Sequence, residues 1–290
     1  MRRTLLFIPS NNANMIINGG LLGADSIIFD LEDAVSPAEK DAARELLKNS
    51  LLSVDFGKCS KIVRINGLDT AYWKDDLDAI IPEKPDFIMP PKTSGADYIK
   101  TLDAYLTELE KANGIAEGST KIIALIETAL GIENAFSIAK ASPRMAGLFL
   151  GSEDLAADLQ CTRTSEGTEI LYARSRILYA ARAAGIDAYD TPFVNVDDLV
   201  GLEADAKFAK QLGFTGKASI SPGHISTINE VFSPSASEIQ YAKDVFAALE
   251  EGKKRGKGAV TLRGKMIDAP IVLRAQSVLD AAREIWGGDV

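Results

Sequence analysis

The chain has 290 residues, 46% hydrophobic and 25% charged, with a formal net charge of −9. That length suits one α/β barrel with a sizeable core, and the composition excludes intrinsic disorder. The negative balance excludes phosphate-backbone binding, so no nucleic-acid partner is expected, and no run approaches the roughly 18 apolar residues of a membrane span.

The sequence opens Met-Arg-Arg and passes directly into an apolar run at 4–9, too short for a signal peptide, so a cytoplasmic protein without membrane contact is expected. Cys59 and Cys161 lie far apart and in no metal spacing, which excludes a disulfide framework and a zinc site. Further strands are expected at 26–31, 61–66, 87–90, 121–127, 147–151, 186–189 and 217–220. Helices are expected at 12–22, 37–52, 73–81, 95–112, 131–140, 167–184, 197–212 and 225–231. The apolar runs are continuous rather than alternating, which fits parallel strands buried on both faces. Eight strand–helix repeats within residues 1–232 predict a (β/α)8 TIM barrel, with a doubly wound sheet as the alternative. One helix start is well marked: Ser36-Pro37-Ala38-Glu39 reads as an N-cap, a proline at the first helical position and a capping-box glutamate.

Residues 233–290 read as an appended C-terminal helical extension. It comprises a helix at 235–252, a glycine- and lysine-rich hinge at 252–264 containing a short Ala-Val-Thr-Leu strand, and an amphipathic helix at 268–286. The basic run Lys253-Lys254-Arg255-Gly-Lys257 reads as a solvated linker.

Chemistry in such barrels collects at the carboxyl ends of the strands. The residues there are Ser10 and Asn11; Asp30, Glu32 and Asp33; Arg64 and Asn66; Lys92; Glu127; Glu153 and Asp154; Asp190; and Ser221 with His224. So many ionisable ends exceed what core packing needs. Glu127 and Asp154 close neighbouring strands, and carboxylates there suit a hard divalent cation such as Mg²⁺, which takes oxygen ligands and keeps several waters. A buried carboxylate is costly unless paired or metal-bound, so the alternative for Glu127 is an ion pair with Lys92 or Arg64. The alternative for Asp154 is a helix N-cap. Arg64 suits a bidentate grip on a substrate carboxylate. Cation and arginine together point to a small polycarboxylic acid. Glu32, Asp33 and Lys92 are read as the groups that orient these residues from behind. His224 reads as a turn cap, and no G-x-S-x-G, G-x-G-x-x-G or Walker pattern occurs.

These residues lie within longer segments. They are Phe29-Asp-Leu-Glu-Asp-Ala-Val35 with Glu39-Lys40, Val63-Arg-Ile-Asn66, Ala124-Leu-Ile-Glu-Thr-Ala-Leu-Gly-Ile132 and Leu150-Gly-Ser-Glu-Asp-Leu155. Ser165-Glu-Gly-Thr-Glu-Ile-Leu171, Gly213-Phe-Thr-Gly-Lys217 and Gly264-Lys-Met-Ile-Asp-Ala-Pro270 follow. In that order they make the chain resemble, nearly end to end, the citrate lyase β-subunits within the wider citrate lyase/malyl-CoA lyase/HpcH-like aldolase family. The resemblance implies that Glu127 and Asp154 bind Mg²⁺, that Arg64 and Glu127 contact substrate, and that Asp268 reaches a neighbouring subunit's site. It implies retro-Claisen cleavage of a citryl thioester to oxaloacetate and an acetyl thioester, with Arg64 stabilising charge and Asp268 protonating the acetyl carbon. Acyl carrier protein and transferase subunits of a citrate lyase complex are the implied partners.

Asn11-Asn-Ala-Asn-Met15 offers no cation for a nucleotide phosphate, which favours a carrier-protein thioester over a coenzyme A ester. A citramalyl-CoA or malyl-CoA lyase, or a related hydroxyacid aldolase, is the nearest alternative. A non-catalytic scaffold subunit is the alternative from another class, and the intact set Arg64, Glu127, Asp154 and Asp268 speaks against it. The alternative for Asp268 is an N-cap of the last helix, ahead of Pro270. Ile271, Leu273, Val278 and Leu279 form an apolar face beyond the hinge, which is expected to bury against a neighbouring subunit of a homotrimer.

Overall fold

The computed structural model describes residues 1–255 and 260–288. The chain divides into two compact units, residues 2–229 and residues 230–290 with Met1.

The first unit is built on eight parallel strands that close in sequence order into a barrel. They are β1 (Thr4–Pro9), β2 (Ser26–Asp30), β3 (Ser60–Arg64), β4 (Phe87–Met89), β5 (Lys121–Ile126), β6 (Met145–Leu150), β7 (Asp187–Asp190) and β8 (Gly216–Ser219). The closing seam pairs Thr4 with Lys217 and Leu6 with Ser219. Around it run α1 (Ala13–Gly19), α2 (Lys40–Ser53), α3 (Trp73–Ile80), α4 (Ala96–Ala112), α5 (Ala129–Glu133) and α6 (Ala135–Ala139). They are followed by α7 (Ser152–Asp158), α8 (Leu171–Ala184), α9 (Leu199–Leu212) and α10 (Ile225–Phe232). The TIM barrel read from the sequence is the fold, and the doubly wound sheet is not.

The continuous apolar runs have the expected cause. β2 is buried at every position, and Leu5, Ile28, Ile62, Met89, Ile123 and Phe149 form one cluster with Tyr189 and Ala218. Each such side chain contributes about 1.5–3 kcal/mol when fully buried. Near the start of the chain, the Arg2 guanidinium lies 4.3 Å from the Phe87 ring centroid and reaches the Tyr189 hydroxyl at 3.3 Å.

Two local expectations differ. The signal at Ser36 does not form a capping box. Pro37–Glu39 is a 3-10 turn, the Ser36 side chain makes no capping bond, and α2 begins at Lys40. Glu39 Oε2 instead accepts from Asn11 Nδ2 at 2.9 Å and from the Ser36 hydroxyl at 3.2 Å, so the two side chains bond to each other rather than to the backbone N–H groups. The helix expected at 131–140 is two short helices, broken at Asn134, whose side chain donates to Ser94 O.

The second unit holds α11 (Ala236–Lys254), β9 (Thr261–Leu262), β10 (Lys265–Met266) and α12 (Ala269–Trp286). The reciprocal capping box absent at Ser36 is found here, between Ser235 and Glu238. The hinge reading needs correction. Gly252 lies within α11, where a Cβ would come within 2.3 Å of Val260 Cγ2, so this glycine serves close packing. Residues 256–259 of that segment, and Lys257 of the basic run with them, lie outside the described residues. Beyond them β9 and β10 pair antiparallel across Arg263-Gly264, both at positive φ, the conformation of a tight two-residue hairpin turn.

The apolar face of α12 does not await a neighbour. Leu279 is buried, and Ile271 and Val278 pack in one cluster with Val245, Phe246 and Leu249 of α11. Only Leu273 of that face stands clear, 68% exposed. Burial of this face therefore gives no argument for a second copy.

Candidate active site

The carboxyl ends of the strands surround a cavity of about 510 Å³. Phe7, Leu125 and Phe149 supply apolar wall, and Asp30, Asp33, Arg64, Glu127, Glu153 and Asp154 supply charge. Six of the fourteen strand-end residues singled out from the sequence thus line one cavity.

Glu127 follows β5 and is 4% exposed. Its Oε1 accepts the Lys92 main-chain N–H at 2.8 Å, and it pairs with neither the Lys92 ammonium nor Arg64 among the described ion pairs. Burial pushes its pKa up to about 8, helped by the charges of Asp154 and Glu32 and opposed by the Lys92 N–H and Arg64. The ion-pair alternative therefore fails. Gly151 makes the space, because a Cβ there would lie 2.5 Å from Glu127 Oε2.

Asp154 is in the first turn of α7, whose N-cap is Gly151, so the capping alternative fails as well. Its side chain is 41% exposed, and its nearest cation is Lys92 Nζ at 3.6 Å. Two carboxylates, one buried and one open, with no third protein acid converging among the described residues, fit Mg²⁺. That ion keeps waters or substrate oxygens in its remaining positions.

Arg64 ends β3 and is ringed by the β2 loop. Nε donates to Asp30 Oδ1 at 2.7 Å, Nη2 to Asp30 Oδ2 at 2.5 Å, and Nη1 lies 2.9 Å from Glu32 Oε2 and 3.7 Å from Asp33 Oδ2. The Nη1–Glu32 contact is a charge contact without hydrogen-bond alignment, since Glu32 Oε2 has no hydrogen-bond partner. The fork expected for a substrate carboxylate is therefore occupied by Asp30, and Nη1 is the corner left to a ligand. The guanidinium also stands 5.2 Å from the Phe7 ring centroid, a cation–π contact that fixes its plane. Glu32 bridges the two cations, with Oε1 accepting from Lys92 Nζ at 3.1 Å, and burial raises its pKa.

Several functional groups escape a sequence reading. Lys40 is buried and donates to Leu31 O and Glu32 O, both at 2.7 Å, pinning the acidic loop that holds Arg64. Burial lowers its pKa against the pull of Asp30 and Asp76. Its signal is a lysine on the α2 face shared by Ala43, Leu47 and Ser50, all buried. Ser152 and Thr191 line the cavity with hydroxyl oxygens 2.6 Å apart. Asn66 is a packing residue, bound to Asp76 Oδ2 and Leu31 O.

Asp190 and His224 are not part of the cavity wall. Asp190 accepts Arg174 Nε and Nη2 at 2.9 Å each and Lys217 Nζ at 2.7 Å, and those cations hold its carboxyl below the usual range despite burial. His224 is buried, with Nε2 3.1 Å from Val196 O, while Ser221 caps the turn that carries it. Asp268 belongs to the second unit, where it is the N-cap of α12 and accepts the Ile271 N–H at 3.1 Å.

A closed parallel barrel whose mouth gathers a carboxylate pair and a braced arginine defines a barrel enzyme of the cation-assisted kind. The chain belongs to the HpcH/HpaI aldolase/citrate lyase family, whose profile matches residues 3–222. It is 47% identical to citrate lyase subunit beta of Leuconostoc mesenteroides subsp. cremoris over 282 residues, 97% of this chain and 93% of that protein. It is 35% identical to a (3S)-malyl-CoA thioesterase of Cereibacter sphaeroides, covering 98% of this chain and 95% of the relative. Among solved structures it resembles CitE of Mycobacterium tuberculosis in complex with magnesium, acetoacetate and coenzyme A. The TM-score is 0.78 at 31% identity, covering 97% of this chain and 98% of that one.

Proposed function

We propose that this chain is a Mg²⁺-dependent carbon–carbon lyase that cleaves a citryl thioester, carried on an acyl carrier protein, to oxaloacetate and an acetyl thioester. The observation that carries the reading is the single cavity joining Glu127, Asp154 and Arg64, in a chain with near full-length likeness to a citrate lyase subunit. In the reaction the tertiary hydroxyl loses its proton as its carbon becomes the keto group of oxaloacetate. The electron pair of the broken bond passes to the acetyl carbon, which then takes a proton.

A bound Mg²⁺ supplies Lewis-acid polarisation of the hydroxyl and its neighbouring carboxylate. Glu127 and Asp154 would hold that ion. Arg64, braced by Asp30, stabilises carboxylate or enolate charge through Nη1 in a cavity partly walled by Phe7, Leu125 and Phe149. Glu32, Asp33 and Lys92 keep Arg64 and the ligands in place. Asp268, delivered from a neighbouring copy in a homotrimer, is the acid for the acetyl carbon. Carrier protein and transferase subunits complete the assembly.

A malyl or citramalyl thioester is the second reading, supported by the thioesterase relative at 35% identity against 47% for the lyase subunit. Turnover of citryl, citramalyl and malyl thioesters, each on carrier protein and on coenzyme A, separates the two. Preferred cleavage of the citryl carrier-protein substrate is expected. Preference for malyl-CoA replaces the proposal with the second reading, and no cleavage of any of them makes the chain a scaffold.

A further inference from the structure

Three strand ends meet at Lys92. It follows Pro90-Pro91 after β4 and has φ +48°, a conformation uncommon outside glycine. The loop fixes it there: Thr93 N–H donates to Leu125 O at 3.0 Å, Thr93 Oγ1 to Pro90 O at 3.1 Å, and Tyr98 OH to Pro91 O at 3.0 Å. In that turn the Lys92 N–H donates to Glu127 Oε1 at 2.8 Å. The side chain carries its ammonium 3.1 Å from Glu32 Oε1 and 3.6 Å from Asp154 Oδ2. Glu32 Oε2 also lies 2.9 Å from Arg64 Nη1, a charge contact. One residue thus touches Glu127 through its main chain and Asp154 through its side chain.

We propose that Lys92 is the positioning residue of the cation site: its main-chain N–H aims Glu127, and its ammonium is a resident counter-cation that releases Asp154 when a divalent cation binds. The proposal rests on the reading of Glu127 and Asp154 as the cation ligands. Glu32 keeps the ammonium at hand after release, because Lys92 Nζ bonds Glu32 Oε1 at 3.1 Å, closer than it stands to Asp154. A fixed positive charge beside a ligand repels an incoming divalent ion and competes for the same oxygen. Lys92 therefore holds cation affinity below what the two carboxylates alone would give, and offsets the charge of Asp154 before the cation arrives.

The test is calorimetric titration of the full-length protein with Mn²⁺ as probe. Lys92→Met is expected to bind Mn²⁺ roughly three- to tenfold more tightly, because the competing charge is gone. Lys92→Arg, which keeps the charge, should stay within about twofold of the parent. Lys92→Gly keeps the N–H and tolerates the positive φ, so it should tighten as Lys92→Met does while melting at a higher temperature than Lys92→Ala. Unchanged or weaker binding in both Lys92→Met and Lys92→Gly, with binding abolished in Glu127→Ala, overturns the proposal and leaves the ligands standing. Binding that survives in Glu127→Ala overturns the ligand assignment and this proposal with it.

Discussion

Asp30 holds Arg64 along one whole edge, with Nε on Oδ1 at 2.7 Å and Nη2 on Oδ2 at 2.5 Å. The arginine reaching the cavity is therefore a rigid group, and its planar fork is used to fix itself. A lysine in its place would carry the charge but could not bond Asp30 twice and still face a ligand. Arg64→Lys should lower kcat/KM by more than about tenfold, roughly 1.4 kcal/mol of transition-state stabilisation. Steady-state kinetics check this, and a smaller loss would relegate Arg64 to packing.

The carboxylate pair makes a separable prediction. Glu127→Ala and Asp154→Ala should each lose Mg²⁺ binding while keeping the far-UV circular dichroism of the barrel, since neither side chain carries a structural ion pair with Arg64. Glu127→Ala also removes the acceptor of the Lys92 N–H, so a loss of about 1–3 kcal/mol is expected with the fold kept. Parent-like affinity in either variant removes that residue from the site.

Gly151 is a packing constraint on the same ligand. An added Cβ would stand 2.5 Å from Glu127 Oε2 and 2.8 Å from Glu127 Cβ. Gly151 has an ordinary extended φ of −99°, so backbone strain plays no part. Gly151→Ala should destabilise the fold by about 1–3 kcal/mol through overpacking and weaken Mg²⁺ binding by displacing Glu127. Thermal melts and cation titration read the two effects, and a variant with unchanged affinity would show that Glu127 moves aside without consequence.

Barrel and site were legible in the sequence to different depths. β1 and β4 fall where the apolar runs stand, because strands buried on both faces have no reason to alternate. Glu127 stands out because a carboxylate directly after such a run has few bland explanations, whereas Asp154 lies four residues beyond the end of β6, in the first turn of α7. Asp190 had the same appearance and is a packing residue. Its partners Arg174 and Lys217 come from a helix and a strand respectively, 16 and 27 residues away, and nothing local to Asp190 betrays them. The tail misled for the complementary reason: its apolar face is plain in the sequence, but which surface covers it is a tertiary fact, and α11 does. Lys40 stands out in the sequence only as part of a motif, because a lysine at a helix start resembles solvated charge until two carbonyls are found on its ammonium.

Acid stability should depend on Glu110, away from the site. Its carboxylate accepts Arg144 Nη1 at 2.8 Å, Arg144 Nη2 at 2.7 Å, and the N–H groups of Thr120 and Gly118. Burial would raise its pKa, but Arg144 and those N–H groups bring it down to about 2. A depressed carboxyl stabilises the fold fully above its ordinary pKa and loses that contribution as pH falls toward the folded value. On the order of 2–3 kcal/mol should therefore vanish between about pH 5 and pH 2. Urea unfolding across that window should show a shallower acid slope in Glu110→Gln than in the parent, and equal slopes would assign the acid transition to other groups.

Asp268 tests the proposed assembly. In its own unit its carboxylate caps α12 through the Ile271 N–H, and Pro270 behind it needs no donor partner, so the residue is accounted for structurally. The catalytic role proposed for it therefore needs a readout that capping does not move. Asp268→Asn keeps an N-cap side chain and removes the acid, so it should retain the parent's melting temperature within about 1 °C, the range expected when one good cap replaces another, while losing turnover. Mixing inactive Asp268→Asn with inactive Glu127→Ala chains and allowing exchange should then restore part of the activity. Some sites in the mixture would combine an intact cation centre with an acid from the next chain. A mixture shown to exchange by mass spectrometry that stays inactive would mean that Asp268 works within its own chain or serves α12 alone.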